Sequence, residues 1–163
     1  MPMTAEQRAT LEDVTQFIYR EARLQDEHCY DEWESLWTDD GIYWVPANGD
    51  DGDPEQVMSI IYDNRSRIAL RIRQYHTGKR FSQTPKSRLR RLVSNIEVLD
   101  DRGAELDVAC NMMVFESQTR GEVLWAMRTE YKLRRADGGL RMALKKVNLV
   151  NNAEALYSMA FLI

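Results

Sequence analysis

The stretch "ELDVACNMMVF", Glu105–Phe115, decides the fold. Leu106, Val108, Cys110, Met112 and Val114 fall on alternate positions, the two-residue period of a strand with one buried face. Beyond a turn near Gly121 the same alternation returns in Val123, Trp125, Met127, Thr129, Tyr131 and Leu133. Asp137-Gly138-Gly139 supplies the residues that a tight hairpin needs. In the strand after it, Leu140, Met142 and Leu144 share one parity while Val147 and Leu149 take the other. One extra residue at Lys145-Lys146 would change parity, so a β-bulge is expected there.

Upstream of this meander, "TPKSRLRRLVSNIEVL" (Thr84–Leu99) opens on Lys86, Arg88, Arg90 and Arg91 and continues as a strand. Alternation places Arg88 and Arg90 on one face, and Arg91 on the other with Leu89 and Val93.

The first half reads as helices with short strands between them. Thr4 and Gln7 have capping-box spacing, and Leu11, Val14, Ile18 and Ala22 form the stripe of a long helix ending near Asp26. A short helix over Tyr30–Leu36 brings Trp33 and Trp37 to its apolar side. Asp39-Asp40-Gly41 stops it before "IYWVP" (Ile42–Pro46), a strand closed by proline. "GDDGDP" (Gly49–Pro54) is a solvated loop, lacking the glutamate that closes a calcium loop. "VMSIIY" (Val57–Tyr62) is a strand, after which Asp63 can cap a helix carrying Ile68, Ile72 and Tyr75 and ended by Gly78. The whole is an α+β chain, a single domain over residues 1–163: a strongly curved antiparallel sheet wrapped around N-terminal helices.

Net charge is −4, but it is unevenly placed. Residues 1–63 carry −13, residues 64–96 carry +10 with no acidic residue, and residues 97–163 carry −1. Such a split favours internal pairing or a complementary subunit contact. An overall pI near 5.3, with few aromatics among the arginines, argues against nucleic acid. No apolar run reaches the roughly 18 residues of a membrane span, and the N-terminus lacks a signal pattern, so a cytoplasmic location is expected.

The chain has two histidines and two cysteines, without metal-ligand spacing. No Gly-x-Ser-x-Gly elbow and no phosphate loop occur. A curved sheet of this kind often encloses a pocket. His76, Tyr62 and Asp63 are therefore the candidates for a free-standing isomerase or dehydratase, to be weighed against simpler roles as a surface histidine and a helix cap.

"FIYREARLQDE" (Phe17–Glu27), "EWESLWTDDGIYWVP" (Glu32–Pro46), "SIIYDNRSRIALRI" (Ser59–Ile72) and "TPKSRLRRLVSNIEV" (Thr84–Val98) occur in that order. Together they resemble the small β subunit of aromatic-ring-hydroxylating dioxygenases, the Rieske non-haem iron oxygenases. The closing "KKVNLVNNAEALYSMAFLI" (Lys145–Ile163) fits that subunit's last strand and apolar tail. The resemblance implies a cone similar to nuclear transport factor 2 and scytalone dehydratase. It implies no cofactor in this chain and a hexamer of three large α and three small β subunits. The α subunit would carry a Rieske [2Fe-2S] cluster, a mononuclear Fe(II) and the substrate site. NAD(P)H would supply electrons through a reductase, with or without a ferredoxin. The short N-terminal arm hints at an aromatic acid as substrate. Arg65, Arg88, Arg90, Arg91 and Asn95 match the family's most recognisable positions, which marks them as interface candidates.

Overall fold

The computed structural model describes residues 1–78 and 85–163. Thr84 of the basic stretch, together with Lys79 and Arg80 of the basic segment, lies outside the described residues.

Helix α1 spans Ala5–Asp26, and the capping box is complete: the Thr4 hydroxyl accepts from the Gln7 amide and the Gln7 side chain accepts from the Thr4 amide. Its buried stripe runs Val14, Phe17, Ile18, Ala22 and Leu24. Helix α2 is one turn, Tyr30–Glu34, and buries Tyr30 and Trp33. Strand β1 begins at Trp37, earlier than expected, and runs to Pro46. Gly41 is required there, because a Cβ would stand 2.6 Å from the Trp37 ring. Strand β2 is Ser59–Asp63 and helix α3 is Arg65–Thr77, ended by Gly78 at φ 61°, the left-handed cap that glycine adopts without strain.

The cap of α3 differs from expectation. Asn64, not Asp63, accepts from the Arg67 amide, which leaves the Asp63 carboxylate to pair with Arg71 at 2.7 Å.

Four long strands follow: β3 (Arg88–Asp101), β4 (Glu105–Gln118), β5 (Gly121–Ala136) and β6 (Gly139–Leu149). The sheet order is β2-β1-β6-β5-β4-β3, antiparallel throughout except for the parallel β1–β6 pair. Two of its register shifts bear on the residues singled out above. In β3 the register with β4 shifts between Ser94 and Glu97, where Asn95 has φ 54°, a conformation asparagine tolerates better than most residues. In β6 the shift falls at Ala143, because Leu144 pairs with Lys132 whereas Met142 pairs with Leu133. The bulge thus precedes the expected Lys145-Lys146 position. Leu144 turns to the outer face and Lys145 turns inward.

The inner face of the sheet closes over α1, α2 and α3. Trp33, Tyr43, Tyr131, Phe161, Ile18, Ile68, Ile72 and Leu133 are among the largest fully buried side chains. Each such residue contributes roughly 1.5–3 kcal/mol by leaving water, which is ample for a core without disulfides. The chain beyond β6 returns across the cone with Ala160, Phe161, Leu162 and Ile163 all buried.

Candidate subunit interface

The interior of the cone is occupied by side chains. Glu21, from the inner stripe of α1, is fully buried and accepts from Lys145 Nζ at 2.5 Å, Trp33 Nε1 at 3.0 Å and the Tyr131 hydroxyl at 3.0 Å. Lys145 also donates to Gln25 Oε1 at 3.3 Å. Burial pushes the Lys145 ammonium below its ordinary range, with Glu21 opposing it, and pushes the Tyr131 phenol well up. The tail is tied into the same network. Arg91 and Gln25 donate to the Leu162 carbonyl, and the Tyr43 hydroxyl donates to the Ile163 carbonyl at 2.5 Å. An ion pair and a peptide segment thus occupy this part of the interior.

Burial also raises the Cys110 thiol, on the inner face of β4, from 9.0 to about 12. The folded chain keeps this proton over a range in which the unfolded chain releases it, so stability falls as pH rises from 9 to about 12. In Cys110→Ala that decline should be shallower by up to about 1.4 kcal/mol per pH unit. Urea unfolding at stepped pH reads the difference. Parallel declines in the two proteins would remove the assignment.

The pocket candidates are not brought together inside. His76 is exposed at the end of α3, with Nε2 2.7 Å from Asp31 and its ring edge against Tyr30. Asp63 is held by Arg71, and the Tyr62 hydroxyl donates to Glu55 in an exposed pair. His28 Nε2 is 2.7 Å from the Ser87 carbonyl and its Nδ1 is 3.1 Å from the Tyr30 hydroxyl, and burial lowers its pKa. These settings do not fit an iron–sulfur cluster or a two-histidine iron centre. Among the described residues, no three His, Cys, Asp or Glu side chains gather as metal ligands.

The five interface candidates divide by setting. Arg65 pairs with Glu34 at 2.8 Å across the α2–α3 contact. Arg91 is withdrawn entirely. Its side chain is buried and bonds Asp26 at the end of α1 as well as the tail, a task inside the fold that removes it from the set of free contact residues. Asn95 is exposed, and its left-handed backbone at the β3 bulge accounts for its residue type. Arg88 and Arg90 are exposed on the outer face and form no ion pair among the described residues. Of the basic segment, Arg65, Arg71 and Arg91 pair with carboxylates of the N-terminal third, whereas Arg88 and Arg90 do not.

The face they occupy is apolar. Cross-strand register aligns Arg90 with Phe115 and Leu124, and Leu92 with Met113 and Ala126. Leu92 is 72 % exposed, Leu124 59 %, Phe115 46 % and Met113 43 %. Single exposed apolar residues are ordinary, but four on adjacent positions of three strands form a continuous patch of the kind that meets another protein. Farther along the outer face the charges satisfy one another. Arg102 bonds Asp100, Glu105 and Asp107, Lys132 bonds Asp107, and Arg134 joins Glu105 to Asp40. Arg102 in particular holds the Asp107 carboxyl far below its usual range. Such exposed pairs contribute little each, and they leave that end of the face self-contained. The residue pattern that carries the patch was present as the outward parity of β3, β4 and β5. Exposure, which separates it from a second buried face, requires the fold.

The chain is a curved α+β cone with a buried ion pair inside and an apolar, arginine-bearing outer sheet face. Residues 20–154 match the model of the ring hydroxylating beta subunit family, and the chain belongs to that family. It is 31 % identical over 139 residues to the small oxygenase component of the p-cumate 2,3-dioxygenase system of Pseudomonas putida, covering 84 % of this chain and 77 % of the relative. It is 30 % identical over 146 residues to the anthranilate 1,2-dioxygenase small subunit of Acinetobacter baylyi, covering 85 % and 88 %. Among solved structures, the β subunit of benzoate 1,2-dioxygenase from Burkholderia mallei superposes with a TM-score of 0.74 at 21 % identity over 93 % of each chain.

Proposed function

We propose that this chain is the non-catalytic assembly subunit of a Rieske oxygenase that hydroxylates the ring of an aromatic acid. A larger α subunit would bind the substrate and hold the [2Fe-2S] cluster and mononuclear Fe(II), three copies of each subunit forming the complex. When present there, those metals supply electron transfer and oxygen activation, with NAD(P)H as donor through a reductase. The work of this chain is to present a rigid surface. The observation that carries the reading is the filled cone: Glu21, Lys145 and the tail occupy the space a substrate would need, while the outer face of β3–β5 exposes the apolar surface that an assembly would bury. The aromatic acid follows from the p-cumate and anthranilate systems to which the relatives belong.

Native mass spectrometry of the full chain, tagged and purified from its source cells, tests this. A larger iron–sulfur chain should accompany it in equal number. A chain that returns without such a partner would refute the reading.

A further inference from the structure

Asn48 and Gly49, at the start of the β1–β2 connection, are the one Asn-Gly pair of the sequence. An asparagine before glycine is chemically fragile, because no Cβ shields the glycine nitrogen from the preceding side-chain amide. Every other asparagine of the chain precedes a residue that carries a Cβ. The Asn48 side chain is exposed and makes no hydrogen bond among the described residues. A Cβ placed on Gly49 would meet nothing within 4 Å, so the space around the bond is open. Burial does not protect this amide, and only its backbone restrains it.

That backbone is clamped by one residue. Asn152, just past β6, is 7 % exposed. Its carbonyl accepts from the Asn48 amide at 2.9 Å, and its Oδ1 accepts from the Gly49 amide at 3.0 Å. Its Nδ2 donates to the Asp50 carboxylate at 2.7 Å, and Lys146 holds the Asp50 carbonyl at 2.7 Å. Asn48 is kept at φ 59°, in the left-handed region, where the following nitrogen points away from Cβ. To reach the side chain, the Gly49 nitrogen must swing about the Asn48 Cα–C bond, which pulls its N–H off Asn152.

We propose that Asn48 is a site of spontaneous deamidation and that Asn152 is the guard that sets its rate. When the clamp opens, the Gly49 nitrogen bonds to Asn48 Cγ and gives up its proton. The Cγ–Nδ2 bond breaks, and Nδ2 leaves as ammonia after taking up a proton. Water then opens the resulting succinimide at either carbonyl. Opening at Cγ leaves aspartate at position 48, and opening at the main-chain carbonyl leaves an isoaspartyl link whose backbone is a methylene longer. Either product adds a negative charge beside the exposed Asp50, Asp51 and Asp53. The longer link also shifts Gly49 away from Asn152 Oδ1, so the clamp does not re-form in its original register.

The test compares the full chain folded in mildly alkaline buffer with the same chain unfolded in guanidinium chloride. Tandem mass spectrometry of the peptide containing Asn48 follows replacement of the amide by a carboxylate. The unfolded chain should convert at least about tenfold faster than the folded one, and Asn152→Ala, still folded by circular dichroism, should recover most of that difference. Asn48→Gly, which adopts the left-handed backbone without strain, should abolish the conversion in both states. Hydrogen exchange on the starting chain reads the clamp without any variant: the Gly49 amide should be protected. An unprotected Gly49 amide, equal rates in the folded and unfolded chains, or a folded Asn152 variant that converts no faster than the starting chain would overturn the guard. No conversion even in the unfolded chain would remove the site itself.

Discussion

Lys145→Met should lower folding stability by about 3–5 kcal/mol, the usual consequence of leaving one member of a buried ion pair alone. Lys145 and Glu21 are 1 % and 0 % exposed at their side chains, so water cannot take the place of the missing partner. The loss should exceed what the change in volume gives, since methionine fills most of the lysine's space. Adding Glu21→Gln removes the uncompensated charge while retaining an oxygen for Trp33 or Tyr131, and should recover at least about half of the loss. The four proteins form a double-mutant cycle, read by urea denaturation at neutral pH. Additive single effects would show that the pair is not coupled and would weaken the description of the cone as a sealed interior.

That same lysine marks where the chain was legible as sequence and where it was not. The inward parity of β4 and β5 follows from alternation alone, because both strands are regular from end to end. In β6 the change of parity from Met142 to Val147 is just as visible, yet alternation cannot say which residue is the extra one. A lysine pair looks like the natural place for an outward bulge. The fold instead bulges at Ala143 and sends Lys145 inward, because Glu21 awaits it on a helix 124 residues away. Asp63 is ambiguous in sequence for a related reason. Both Asp63 and Asn64 can cap α3, and the choice falls to Asn64 once Arg71 engages Asp63. The recognisable motifs also mix two kinds of role. "SRLRRL" alternates outward arginines with residues that tie the fold together: Ser87 donates to the buried Glu116 at 2.6 Å and Arg91 reaches Asp26. A sequence pattern marks both alike, and only burial tells the two apart.

Arg90 and Arg91 are neighbours in sequence on opposite faces, so paired substitutions separate assembly from folding. Arg91→Met leaves Asp26, whose side chain is 5 % exposed, without its guanidinium and deprives the Leu162 carbonyl of a charged donor. A loss of about 3–5 kcal/mol is expected, with the tail the first part to loosen because its tie to β3 is gone. Asp26→Leu in the same chain should recover part of it. Arg90→Met, on the exposed outer face, should stay within about 0.5 kcal/mol of the starting protein in denaturant. Its effect should fall on association, which denaturation of the isolated chain does not read. Hydrogen exchange completes the comparison: amides of residues 159–163 should lose protection in the Arg91 variant and keep it in the Arg90 variant. An Arg91 variant that folds with full stability yet fails to associate would return that arginine to the interface and leave the tail without its clamp.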